Sequence, residues 1–317
     1  MDLAIKADDV RQAAERIKPL ARKTPVLTSE WFDEEAGLRV FFKCENLQRG
    51  GAFKIRGAAN LVLSLTPEQL SRGIVAYSSG NHAQATAIAA KHVGAHATIV
   101  MPEDAPKSKM DATRARGAKV VTYNRFTESR EAIAAGILKE SGATLVPPFD
   151  HPMIMAGQGT AAMELLEEVG PLDALITPVG GGGLLSGCAT IAKDMQPGIR
   201  VFGAEPEGAN DTFLSMVAGT RVSVPHPETI ADGLRSPKPG EFTFPIVQKL
   251  VERVILVSDN EMRAAVKFML LRSKILVEAS GASSVAAVMF RKLPPEVRTV
   301  GVVISGGNVD FEELATY

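Results

Sequence analysis

The chain reads as an α/β protein of two domains, each with a mainly parallel sheet flanked by helices, and three observations carry that reading. From Gly73 onward, short apolar runs alternate with helix-length segments. Pro147-Pro148 and Asp150-His151-Pro152 interrupt that alternation, which then resumes. Four consecutive glycines, Gly180-Gly181-Gly182-Gly183, stand between an apolar strand pattern and a helix pattern. A strand that is followed by a helix and then by another strand pairs in parallel, because the return leg crosses the sheet through the helix.

The elements follow in order. A helix is expected over 8–18, and the Lys54 segment has the pattern of a second helix starting against a core. Strand patterns at 74–77, 97–101, 119–123 and 143–146 alternate with helix patterns at 83–91, 107–116 and 129–139. Beyond the prolines come a helix over 158–169, a strand over 174–177, a helix from Gly183 and a strand over 200–204. The interval 219–243, with Pro225, Pro227, Pro237 and Pro239, is too polar and proline-dense for a core element and reads as a lid or an interface arm. A strand over 254–257, helices over 259–272 and 280–290 and a strand over 299–304 lead to Ser305-Gly306-Gly307-Asn308. This places a small domain at 71–149 and a larger, discontinuous one at 1–70 and 150–317.

Composition narrows the function. A chain of 317 residues is long enough for two domains and a sizeable core. Its 35 Lys and Arg balance 36 Asp and Glu, without a basic run interleaved with aromatics. Nucleic acid and an anionic membrane surface are therefore unsuited partners, and a small molecule is the expected one. Cys44 and Cys188 lack metal-type spacing and read as reduced thiols, which fits a cytoplasmic compartment. The first residues lack a signal-peptide pattern, and no apolar run approaches the ~20 residues that span a bilayer.

Two features carry chemistry. Glycines between a strand and a helix let backbone N–H groups approach an anion, and the helix dipole adds favourable potential. Such a turn also serves tight helix–sheet packing. The lysine of a triphosphate loop is missing, whereas a dinucleotide site stays open: Glu205 lies about 20 residues on, where a ribose-binding acid would sit. Against it, the third glycine of that fingerprint falls on Leu185 or Ser186. Lys54, within Gly50-Gly51-Ala52-Phe53-Lys54-Ile55-Arg56-Gly57, is the second feature. A lysine is ordinarily solvated, but a buried one has its pKa lowered and becomes a nucleophile for an aldehyde. An amine and a phosphate cradle together suggest pyridoxal 5'-phosphate. The turn Ser78-Ser79-Gly80-Asn81-His82 also joins a strand to a helix, as a capping turn or as a ligand contact.

These motifs, together with Phe42-Lys43-Cys44-Glu45-Asn46 and Ser305-Gly306-Gly307-Asn308, resemble the fold-type II pyridoxal-phosphate enzymes over nearly the whole chain. That fold is the tryptophan synthase β type, and the serine/threonine dehydratase and serine racemase group is the one resembled. The resemblance implies that Lys54 holds the cofactor through an imine, that Phe53 packs on its ring and that Asn81 bonds the ring hydroxyl. Gly180, Gly181, Gly182, Gly183 and Leu184 would cradle the phosphate, and Ser305 would face the pyridine nitrogen. Ser78, Ser79, Asn81, His82 and Ser236 would contact substrate, with Ser79 as a second acid/base opposite Lys54. Arg130 would approach a distal carboxylate. Glu205, the carbonyl of Ala209 and Asp211 resemble a cation loop for Mg2+, Mn2+ or Ca2+.

The implied activity is an ammonia-lyase acting on serine, threonine or 3-hydroxyaspartate, with serine or aspartate racemisation as the alternative. A homodimer is implied as well. Two departures stand out. Ala279-Ser280-Gly281 replaces the proline usual after Val277-Glu278, and the chain ends at Tyr317 without the regulatory domain of biosynthetic threonine dehydratases, so feedback inhibition by isoleucine is not expected.

Overall fold

The computed structural model describes residues 2–105 and 107–317. Among the described residues, ten strands build two sheets: β1 (Val26–Leu27), β2 (Arg39–Cys44), β3 (Ile74–Tyr77), β4 (Ala97–Pro102), β5 (Lys119–Tyr123), β6 (Thr144–Leu145), β7 (Ala174–Pro178), β8 (Arg200–Pro206), β9 (Arg253–Val257) and β10 (Thr299–Ile304). The smaller sheet runs β5-β4-β3-β6 and is wholly parallel. The larger runs β1-β2-β10-β7-β8-β9, and only its β1–β2 pair is antiparallel. Burial on both faces explains the near-continuous apolar strands: along β10, Val300, Val302 and Ile304 enter one core cluster while Val303 enters another.

Each sheet has one point where strand order reverses. β3 lies between β4 and β6, and β7 lies between β8 and β10. The crevice beyond the carboxyl end of such strands is where open α/β sheets bind ligands. The turn at Ser78 follows β3, and the glycine run follows β7.

The helix Pro152–Val169 fixes the distance between the two anchors. It begins six residues earlier than the sequence pattern suggests, because His151 accepts the N–H of Met153 and Pro152 suits the first helical position. A Cβ on its Gly157 would lie 2.5 Å from the carbonyl oxygen of Arg56, and one on Gly159 would lie 2.6 Å from that of Gly187. Both neighbouring helices, Lys54–Val62 and Gly183–Met195, therefore press backbone to backbone against it. Lys54 and Gly183 are the first residues of those two helices.

A buried ionic cluster holds the Lys54 helix from beneath. Arg56 donates to both Glu45 and Glu164 at 2.7 Å, and Lys43 pairs with Glu164 at 2.7 Å. Burial opposes ionisation of Glu45, but Arg56 outweighs it and holds that carboxyl below its usual range. Removing one partner would strand a buried charge, at a cost of about 3–5 kcal/mol. The interval 219–243 is irregular apart from a short helical turn at Asp232–Leu234, and the helix expected over 259–272 ends at Phe268 in a π-turn over Met269–Ser273.

Candidate active site

Lys54, at the first position of its helix, directs its ε-amine into a cavity of about 650 Å³ between the two sheets. The Nζ donates to the carbonyl of Pro148 at 2.8 Å and lies 5.1 Å from the centroid of the Phe53 ring. Burial lowers its pKa to about 8, even though the carboxylate of Glu278 pulls the other way. An amine near neutrality is partly uncharged at physiological pH, so its lone pair can add to a carbonyl.

Across the cavity, the glycine run turns from β7 into its helix. A Cβ on Gly181 would lie 2.4 Å from the Phe149 ring, and one on Gly183 would lie 3.0 Å from Phe149. Gly182 has φ +92°, a conformation that glycine adopts without strain. The hydroxyl of Thr243 donates to the Gly181 carbonyl at 2.7 Å, and that of Thr212 donates to the Gly180 carbonyl at 3.4 Å. The first N–H groups of a helix have no intrahelical acceptor, so this packed turn can offer them to an anion.

The same cavity is lined by Ser78, Ser79, Asn81, His82, Arg130 and Ser236, and also by Leu184 and Ser305. Asn81 donates to Glu278 at 2.7 Å, while Asn308 donates to the Asn81 side-chain oxygen at 2.8 Å. This orients its amide. His82 is buried, with Nε2 bonded to the Val146 carbonyl at 2.8 Å, and burial beside Lys54 pushes its pKa down to about 3. The ring is neutral, so Nδ1 is an acceptor. It has no partner among the described residues. Arg130 lies over the Tyr77 ring at 5.2 Å and donates to Glu131 at 2.8 Å.

Among the polar wall residues that sequence reasoning missed, Glu278 and Gln158 stand out. Glu278 is buried, and desolvation with Asp232 nearby raises its pKa to about 8. Gln158 is 1 % exposed, and neither its amide nitrogen nor its amide oxygen has a partner among the described residues. A glutamine flanked by Gly157 and Gly159 was the available signal.

The chain matches the model of pyridoxal-phosphate-dependent enzymes over residues 17–306. It belongs to that family. Among curated relatives it is 48% identical to the L-threo-3-hydroxyaspartate ammonia-lyase of Saccharomyces cerevisiae, covering 97% of this chain and 94% of the relative. It is also 48% identical to the serine racemase of Schizosaccharomyces pombe, over 98% and 96% of the two chains. The solved structure of maize serine racemase superposes with a TM-score of 0.95 at 42% identity, covering 99% of this chain and 96% of that one.

The residues present fit the cofactor of this family. Pyridoxal phosphate brings an aldehyde, a flat ring with polar edges and a dianionic tail. The cavity offers a near-neutral amine, the ring of Phe53, unpartnered amide atoms on Gln158 and a glycine turn at a helix N-terminus.

A second cluster lies where β8 ends. The Glu205 carboxylate accepts the N–H groups of Thr212 and Phe213 at 2.9 and 2.8 Å. Both oxygens of Asp211 are buried without a partner among the described residues. Burial raises both pKa values, that of Asp211 to about 7, and the two carboxyls repel. Two carboxyls withdrawn from water beside each other call for protons or for a cation. The unpartnered oxygens of Asp211 fit a hard divalent ion.

Proposed function

We propose that this enzyme is an ammonia-lyase that converts a small 3-hydroxy amino acid, serine, threonine or 3-hydroxyaspartate, into a 2-keto acid and ammonia by α,β-elimination. One observation carries the reading: the Lys54 amine, brought to about 8 by burial, shares a cavity with the glycine turn at a helix N-terminus. Relatives named L-threo-3-hydroxyaspartate ammonia-lyase and L-threonine ammonia-lyase support the same chemistry, and the one named serine racemase supports the second reading below.

Lys54 would take the cofactor aldehyde, Phe53 would pack on the ring and Asn81 would meet the ring hydroxyl. Gly180, Gly181, Gly182, Gly183 and Leu184 would cradle the phosphate, and Ser305 would face the ring nitrogen. When bound, pyridoxal phosphate supplies an aldehyde for the substrate amine and a conjugated ring that acidifies the neighbouring C–H bond. The Lys54 amine, within the same cavity, would remove the Cα proton as general base. The β-hydroxyl would leave as water by taking up one proton, equivalent to the one removed from Cα, and an enamine would result. Once released, the enamine takes up water and gives the keto acid and ammonia, so the net loss is one NH3.

Ser78, Ser79, Asn81 and Ser236 hold the substrate carboxylate. His82, a neutral acceptor, suits a hydroxyl or an amine rather than a carboxylate. Arg130 reaches a second carboxylate, for which a guanidinium fork is suited. Ser79 lines the cavity with Lys54, which supports the second reading. In that reading its hydroxyl returns a proton to Cα from the other face and the enzyme racemises serine or aspartate.

Ammonia release across L-serine, L-threonine and the 3-hydroxyaspartate stereoisomers tests the first reading. Silence on all of them contradicts it. Chiral analysis tests the second: Ser79→Ala should abolish formation of the opposite enantiomer and spare much of the elimination. Undiminished racemisation removes Ser79 from that role.

Glu205, the Ala209 carbonyl and Asp211 hold Mg2+, Mn2+ or Ca2+ together with waters. Chelation should lower both the melting temperature and the rate, and unchanged values contradict the assignment. The enzyme is a homodimer, a reading supported by exposed Trp31, Leu271 and Leu276 around the π-turn, where Arg272 lies over Trp31 at 5.3 Å. Sedimentation at a single-chain mass contradicts it. Cys44 and Cys188 are free and buried, with thiols pushed up to about 12, which suits a reducing cytoplasm. No described helix is long and apolar enough to cross a membrane.

A further inference from the structure

We propose that Asp150 is a positioning residue for the phosphate cradle, acting through the start of the helix Thr243–Leu250. The inference rests on the reading of the glycine turn as that cradle.

The Asp150 carboxylate accepts three consecutive backbone N–H groups. Oδ2 takes that of Glu241 at 2.8 Å, and Oδ1 takes those of Phe242 at 2.9 Å and Thr243 at 3.2 Å. The helix they open has no side-chain cap of its own, because Phe242 occupies the cap position. A residue remote in sequence thus does the work that a local Ser or Asp usually does. Gly240 leaves it room, since a Cβ there would lie 2.2 Å from Oδ1.

The capped turn touches the glycine run directly. Thr243 Oγ1 and the Gly240 N–H both donate to the Gly181 carbonyl, at 2.7 and 3.3 Å. A Cβ on Gly182 would come within 2.8 Å of that same hydroxyl. In a planar trans peptide the C=O and the N–H point in opposite directions. Holding the Gly181 carbonyl toward Thr243 therefore aims the Gly182 N–H away from it, and fixing Thr243 fixes that aim. Asp150 also follows Pro148, whose carbonyl holds the Lys54 amine, and Phe149, whose ring backs Gly181. The segment 148–150 thus braces both the amine and the cradle. Three donors hold the carboxylate in place, and the proposed effect on a phosphate runs through that geometry.

Comparing pyridoxal 5'-phosphate with pyridoxal, which has the same aldehyde and ring but no phosphate, isolates the cradle. The full chain, freed of cofactor, is titrated with each and the imine absorbance followed. The unsubstituted protein binds the phosphorylated form more tightly. In Asp150→Ala that preference falls about tenfold while pyridoxal affinity holds, the size expected when a cap is lost. Asp150→Asn, which keeps the Oδ1 acceptor, recovers most of it.

An undiminished preference in Asp150→Ala overturns the proposal. So does an equal loss for both aldehydes, which marks general loosening, or tighter phosphate binding, which marks charge repulsion. A lack of preference in the unsubstituted protein overturns the cradle reading itself.

Discussion

Two turns at strand ends face each other across the cavity, and they are built in opposite ways. In the turn after β7, an added Cβ would meet a neighbour at 3.2 Å on Gly180, 2.4 Å on Gly181, 2.8 Å on Gly182 and 3.0 Å on Gly183. In the turn after β3, a Cβ on Gly80 would meet nothing within 4 Å. The first turn is fixed from behind by Thr243, Phe149 and Thr212. The second keeps its serines and Asn81 on a face with space beside it. The packed side suits a cofactor that stays, and the roomier side suits a substrate that comes and goes. On the proposed assignment, pre-organisation sits where it is reused on every turnover.

Four measurements break or sharpen that contrast. The largest effect concerns the partial burial of Lys54. Its folded pKa, about 8, lies below the ordinary 10.5, so between these values the unfolded chain binds a proton that the folded chain lacks. Stability then rises with pH. The cofactor-free protein should gain up to about 3 kcal/mol on Lys54→Met between pH 8 and 10.5, less whatever the open cavity screens. A pH-independent difference in denaturant midpoints contradicts the burial argument.

Next in size, Gly181→Ala forces the Phe149 ring aside and should cost about 1–3 kcal/mol of stability or cofactor retention. Arg130→Met should raise KM for 3-hydroxyaspartate about tenfold and leave KM for serine nearly unchanged, since only the former offers a second carboxylate. Equal shifts for both substrates would return Arg130 to a surface role. Smallest of all, Gly80→Ala should change stability by less than about 0.5 kcal/mol. If Gly80→Ala proves as costly as Gly181→Ala, the contrast between the turns is lost.

Local features were the legible ones in both halves. Consecutive glycines advertise a close approach, and the alternation from Gly73 fixed strand and helix type through the smaller sheet, because each parallel strand is a short apolar run closed by a turn. What escaped depends on partners far apart in the chain. The β1–β2 pair was hidden because Arg39-Val40-Phe41-Phe42-Lys43-Cys44 carries charges whose partner, for Lys43, is Glu164. Asp150 looked like part of a proline-rich break, since the N–H groups that it caps lie more than 90 residues away. Glu278 stood before an apolar helix with nothing local to mark it as buried. The pairing of Asp211 with Glu205 was visible through resemblance, whereas its unpartnered oxygens were not.

The central claim is that the Lys54 amine forms the bond to the cofactor. Borohydride reduction of the active enzyme, followed by proteolysis and mass mapping, tests it most directly. The account predicts one pyridoxyl-modified peptide, bearing the label on Lys54. A label on any other lysine, or none in protein that still releases ammonia, would contradict it.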